Sequence, residues 1–217
     1  SGIHAVPAEF VRAQMDAVFD DLAIGAIKIG MLGEGATIEA IASGLAQRAA
    51  VPVVLDPVMV ATSGDRLLEP AAVEALRTRL IPIAAVITPN LPEAAALLDE
   101  GVASSAAAIE DQGRRLLELG CAAVLIKGGH GAGSESVDYL IRPSGTLALP
   151  APRIATRNTH GTGCSLSSAI AAGIAKGEDL ATAIQNAKAW ISAAIAAADR
   201  FSVGHGHGPI HHFHRYY

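Results

Sequence analysis

Residues 84–93 read A-A-V-I-T-P-N-L-P-E, and the fold turns on that stretch. A short apolar run, ending in β-branched Val86, Ile87 and Thr88, is cut off by Pro89. A run of this length without polar alternation fits a strand covered on both faces, as in a parallel sheet. The same construction recurs at Pro52–Leu55 (P-V-V-L), followed by Asp56-Pro57-Val58-Met59, and at Ala122–Lys127 (A-A-V-L-I-K), followed by Gly128-Gly129-His130. Ala23–Met31 (A-I-G-A-I-K-I-G-M) has the same character. Between these runs lie helical patterns over Pro7–Leu22, Thr37–Ala50, Pro70–Leu80 and Ser104–Leu119. Strand and helix in alternation predict an α/β fold with a mostly parallel sheet. Val137–Arg142 and Thr146–Leu149, joined by Pro143-Ser144-Gly145, predict an antiparallel hairpin at an edge. Two Ala-rich helices follow, near Gly163–Lys176 and Leu180–Asp199. No linker, repeat or low-complexity tract divides the sequence, which predicts a single domain over residues 1–217.

Composition narrows the function. The chain has 217 residues, 51% hydrophobic and 17% charged, with net charge −5. Such a balance gives no global electrostatic drive toward nucleic acid or an anionic membrane. The longest uncharged run, Asn158–Ala175, is too polar to span a bilayer, and no signal peptide is expected. Cys121 and Cys164 share no C-x-x-C or zinc-type spacing, which points to single thiols in a reducing compartment.

In open α/β sheets the ligand sits outside the carboxyl ends of the strands. Asp56 follows one predicted strand, Asn90 and Glu93 another, and Lys127 ends a third. Each has a plain structural use: Asp56 as a turn former, Asn90 and Glu93 as a helix cap with its capping-box partner. Converging on one rim, they favour a site. The stretch Asn158-Thr159-His160-Gly161-Thr162-Gly163-Cys164-Ser165 opens a helix. Its glycines permit close approach of a ligand, and successive N–H groups at a helix start attract anions. Cys164 falls in the first turn, where the helix dipole lowers a thiol's pKa. A glycine-softened helix start with a structural cysteine reads the same residues equally well, and both readings are open. Neither a Walker A loop nor G-x-G-x-x-G occurs.

Five segments in order, K-I-G-M-L (Lys28–Leu32), D-P-V-M (Asp56–Met59), T-P-N-L-P-E (Thr88–Glu93), I-K-G-G-H (Ile126–His130) and N-T-H-G-T-G-C (Asn158–Cys164), closely resemble the hydroxymethylpyrimidine/phosphomethylpyrimidine kinases of thiamin biosynthesis. That resemblance covers essentially the whole chain. It implies a ribokinase-like three-layer sandwich with helices on both faces. It also implies ATP- and Mg²⁺-dependent phosphorylation of 4-amino-5-hydroxymethyl-2-methylpyrimidine and then of its monophosphate, by a cytoplasmic homodimer. Family members begin several dozen residues earlier, so the sequence, which opens Ser1-Gly2-Ile3-His4, is expected to be N-terminally truncated, with an exposed apolar sheet edge.

The family pattern implies roles for matching residues. Lys127, with Asn90, Thr159, Gly161, Thr162 and Gly163, is implied to bind ATP and its phosphates; Glu93 and Asp56 are implied to hold Mg²⁺, partly through water. Lys127, Gly161, Gly163 and Cys164 are implied to be catalytic, with Cys164 as base or acceptor-orienting group. The sugar kinases of the wider superfamily carry aspartate at that position. Met31 and Val58 match positions lining the pyrimidine pocket; ordinary core packing is their other reading. Two alternatives stand beside this one: a pyridoxal or pyridoxine kinase on the same scaffold, and a nucleotide-binding remnant without transfer activity. Five histidines in the last thirteen residues suggest a metal-binding tail, but the family has a similar ending, so a packed tail is the better reading.

Overall fold

The computed structural model describes residues 4–48, 50–59, 69–130 and 133–217. Ser1-Gly2-Ile3, and Ala49 within one expected helix, lie outside them. In chain order the elements are α1 (Ala8–Asp21), β1 (Ile27–Ile29), α2 (Gly35–Ala46), β2 (Val53–Leu55), α3 (Pro70–Ala75), β3 (Val86–Ile87), α4 (Leu91–Leu98), α5 (Ala106–Leu117), β4 (Val124–Ile126), β5 (Asp138–Arg142), β6 (Gly145–Leu149), α6 (Thr162–Ala175) and α7 (Leu180–Ala196). A π-turn over Leu76–Leu80 and a 3₁₀ turn over Ile81–Ile83 carry α3 toward β3.

The six strands form one sheet in sequential order. β1 to β4 pair in parallel, while β5 is antiparallel to β4 and β6 to β5. Each parallel step moves the same way along the sheet, and crossover connections keep one hand. All the crossover helices therefore fall on one face. Side chains confirm this two by two: Val53, Leu55, Ile87, Val124, Ile126 and Ile141 share one core with Ile38, Leu97 and Leu116 from the crossover layer. The alternate residues Val54, Val86, Leu125 and Leu140 share the second core with Leu166, Ile170, Ile184 and Ile191 of α6 and α7. Helices at the end of the chain thus supply the layer that the crossovers leave empty. α1 lies against α2 and buries no residue of its own.

Two expectations change. Ala23–Met31 contracts to the three residues of β1. Gly25 instead lies against the end of α6, where a Cβ would stand 3.1 Å from that of Ala175. The second change is α4, eight residues that the helical patterns above omit. It is too short for a periodic signal, and its start is marked by the cap alone. No helix among the described residues is long and apolar enough to cross a membrane.

Candidate active site

The parallel ladder continues past the ends of the strands and sets the backbone of the site. Asp56 N–H donates to the Ile29 carbonyl at 2.9 Å, Thr88 N–H to Leu55 at 2.9 Å, and Lys127 N–H to Pro89 at 2.9 Å. Asp56, Thr88 and Lys127 are thereby held at the carboxyl ends of β2, β3 and β4.

Their side chains meet. Lys127 Nζ donates to Asp56 Oδ1 at 2.8 Å and stands 3.9 Å from Glu93 Oε2. Thr88 Oγ1 donates to the same Asp56 oxygen at 3.0 Å, and Ser167 Oγ lies 3.3 Å from Oδ2. Asp56 is 1% exposed and Glu93 5%. Asn90 caps α4: its Oδ1 accepts Glu93 N–H at 2.8 Å, and Glu93 Oε2 accepts Asn90 N–H at 2.8 Å. The capping-box reading of this pair is borne out, and the box holds the Glu93 carboxylate on the side of Lys127, so a cap and a site residue are compatible uses of it. Burial pushes the Glu93 carboxyl above its ordinary range, and the Lys127 ammonium only partly offsets it.

α6 begins over this cluster. Gly161 occupies its N-cap at φ 83°, a left-handed conformation that a side chain strains, and offers no side-chain cap to the first N–H groups. A Cβ on Gly163 would lie 3.4 Å from Lys127 Nζ and 3.7 Å from Asp56 Oδ2, so the helix start sits directly against the ion pair. Thr162 Oγ1 donates to the Thr159 carbonyl at 2.7 Å, so Thr162 builds the turn while Thr159 stays exposed. Uncapped N–H groups next to a lysine make a place for an anion with several charges.

The other expected residues lie around this centre. Cys164 is exposed in the first turn of α6. It borders an open cleft of about 470 Å³ shared with Ser165, Ser168, Ala169, Trp190 and His212. Met31 is exposed beyond β1 and Val58 half-buried beyond β2, so neither is plain core. Cys121 is buried, and burial pushes its thiol up to about 11.

Of the C-terminal histidines, His211 is buried and His214 half-buried, whereas His205, His207 and His212 are exposed, so the expected packed tail holds only in part. Gly208 N–H donates to Asn158 Oδ1 at 3.1 Å, and His160 N–H to the Gly208 carbonyl at 3.1 Å. His212 is 2.9 Å from Ser165 Oγ, and His211 stands edge-on to Phe201. Two contributors escaped the sequence reading. The sequence gives Thr88 no role, and Ser167 has no signal beyond its spacing: four residues past Gly163, it shares the helix face that lies against Asp56.

Similarity to known proteins adds to this geometry. A family model described as phosphomethylpyrimidine kinase matches residues 1–211. A hydroxymethylpyrimidine/phosphomethylpyrimidine kinase of Rhizobium meliloti is 52% identical over 217 residues, which are the whole of this chain and 81% of that protein. Among solved structures, an ADP complex of Bacillus subtilis pyridoxal kinase superposes with a TM-score of 0.89 at 32% identity, over 97% of this chain and 78% of that one. A phosphomethylpyrimidine kinase from Clostridium difficile gives 0.78 at 34% identity, over 90% and 79%. The ribokinase-like three-layer arrangement is common to them. With a family model matching residues 1–211 and a 52%-identical relative aligned over the whole of this chain, the chain belongs to the phosphomethylpyrimidine kinase family.

Proposed function

We propose that the chain, acting as one kinase domain, transfers the terminal phosphoryl group of ATP to the hydroxymethyl oxygen of 4-amino-5-hydroxymethyl-2-methylpyrimidine, and a second one to the resulting monophosphate. One observation carries this reading: Lys127 is held between two buried carboxylates directly beneath the glycine start of α6. Phosphoryl transfer needs positioning and charge neutralisation more than covalent help. Lys127 neutralises phosphate oxygens, and the N–H groups at the start of α6 hold the moving group. Asp56, fixed by Thr88 and Ser167, keeps Lys127 in place.

The donor set suits Mg²⁺, which prefers hard oxygens, keeps most of its waters and needs one or two carboxylates. Glu93 and Asp56 are the residues to hold it; burial disfavours the Glu93 charge, and a cation restores it. When bound, Mg²⁺ neutralises charge on the phosphates. Cys164 removes or orients the acceptor hydroxyl proton in the first step, whereas the second acceptor is already an ionised phosphate. Met31 and Val58 form the acceptor side. The enzyme works in the cytoplasm as a homodimer.

A pyridoxal kinase is the second reading, favoured by the TM-score of 0.89 to such an enzyme. The 52% identity along the full chain to a pyrimidine kinase weighs more, because backbone likeness is shared by both branches. ADP release is measured with MgATP and, separately, the pyrimidine, its monophosphate and pyridoxal. A kcat/KM for both pyrimidines exceeding that for pyridoxal supports the reading; the reverse order overturns it.

A further inference from the structure

Asp138 opens β5 as a charged residue that is 4% exposed. Both of its oxygens are engaged: Oδ1 accepts Gly128 N–H at 2.8 Å, and Oδ2 accepts Lys188 Nζ at 2.7 Å. Lys188, on α7, also donates to the Ser136 carbonyl at 3.2 Å. A buried ion pair therefore reaches from the α6–α7 layer to the residue immediately after Lys127. Gly128 is confined on its other side, where a Cβ would meet the Val137 carbonyl oxygen at 1.9 Å. Arg153 takes the next carbonyl, with Nη1 donating to Gly129 at 2.7 Å.

Stability alone does not account for such a pair, since the desolvation of two charges offsets most of their attraction and apolar residues of similar volume do as well. What the pair supplies is direction. The Lys127 N–H is fixed on Pro89 and the Gly128 N–H on Asp138, so the peptide that follows the lysine has a single orientation. We propose that Asp138 and Lys188 are positioning residues of the phosphoryl-transfer site: Lys188 orients the Asp138 carboxylate, which holds Gly128 and thereby aims Lys127 at Asp56 and the phosphates. The inference rests on the reading of Lys127 as a phosphate ligand.

Two double variants without buried charge isolate the effect. D138N/K188M keeps an oxygen for Gly128 N–H, and D138L/K188M does not. Displacing a catalytic group by about 1 Å costs up to about a hundredfold in rate. D138L/K188M is accordingly expected to bind MgATP about tenfold more weakly, by calorimetry, and to turn over about thirtyfold more slowly than D138N/K188M, with closely similar Tm. In a Lys127→Ala background the difference in ATP affinity between the two disappears, because no lysine is left to aim. Equal affinity and turnover in the two variants, or a difference that persists without Lys127, overturns the proposal. D138A/K188M replaces the leucine variant if leucine prevents folding. ATP affinity needs no acceptor, so an error in the assigned acceptor shows in turnover alone and is separable from failure of this inference.

Discussion

In the proposed reaction Lys127 handles charge and Cys164 a proton, and the two differ sharply in exposure. The lysine is buried against Asp56, with its side chain 14% exposed, whereas the thiol stands at the surface of α6. That contrast makes the two cysteines distinguishable. A thiol-specific reagent is expected to modify Cys164 in the folded protein and to spare Cys121, whose thiol burial holds protonated at neutral pH. Mass spectrometry of the labelled chain checks this, and bound MgATP is expected to slow the labelling. Cys164→Ala is expected to slow phosphorylation of the hydroxymethyl acceptor by about a hundredfold and that of the monophosphate by far less, since only an alcohol needs its proton taken. Equal loss in both steps, measured by following each product, would leave Cys164 a packing residue. At this scale the sequence is readable where a residue type is unusual for its setting: Asp56 and Lys127 end apolar runs, and Glu93 completes a capping box. Thr88, Ser167 and Asp138 are not, because hydroxyls and a strand-opening aspartate have common uses that only contacts can separate.

At the scale of elements, two helix starts build the site in opposite ways. α4 is fully capped by Asn90 and Glu93, while α6 is left uncapped by Gly161. Asn90→Ala is expected to cost about 1 kcal/mol of stability from the lost cap, read by denaturant unfolding, and also to weaken ATP binding by freeing Glu93. Gly161→Ala places a side chain at φ 83° and is expected to cost about 1–2 kcal/mol. Its larger effect is expected on calorimetric ATP affinity, because the strain is relieved by moving the N–H groups proposed to hold the phosphates. The strand and helix order was legible from short β-branched runs bounded by Pro, Gly and Asp. Strand lengths were not, because apolar residues flanking β1 pack on α6 without joining the ladder. α4 was invisible to periodicity for want of length, although its capping box was in plain view.

On the scale of the whole molecule, the two-faced sheet lets one layer hold the crossovers and the other supply the helix start that lies against Lys127 and Asp56. Burial of Glu93 links this architecture to pH. Its folded pKa is raised, so the stability associated with its neutral form is fully present below the ordinary value of 4.5 and is lost as pH rises through the folded value. Glu93→Gln, neutral throughout, is expected to melt higher than the parent at pH about 7, with the gap closing on acidification below pH about 4, while turnover falls about a hundredfold. Melts and rates across that range check both. The proposed acceptor side is the least legible, since Met31 and Val58 are apolar and apolar residues look alike in core and pocket. The most direct measurement is a crystal structure of the chain with Mg²⁺ and a non-hydrolysable ATP analogue. The terminal phosphates are expected against Lys127 Nζ and the N–H groups at the start of α6, with the metal beside Glu93. A nucleotide whose terminal phosphates lie away from both Lys127 and the start of α6 would contradict phosphoryl transfer at this cluster.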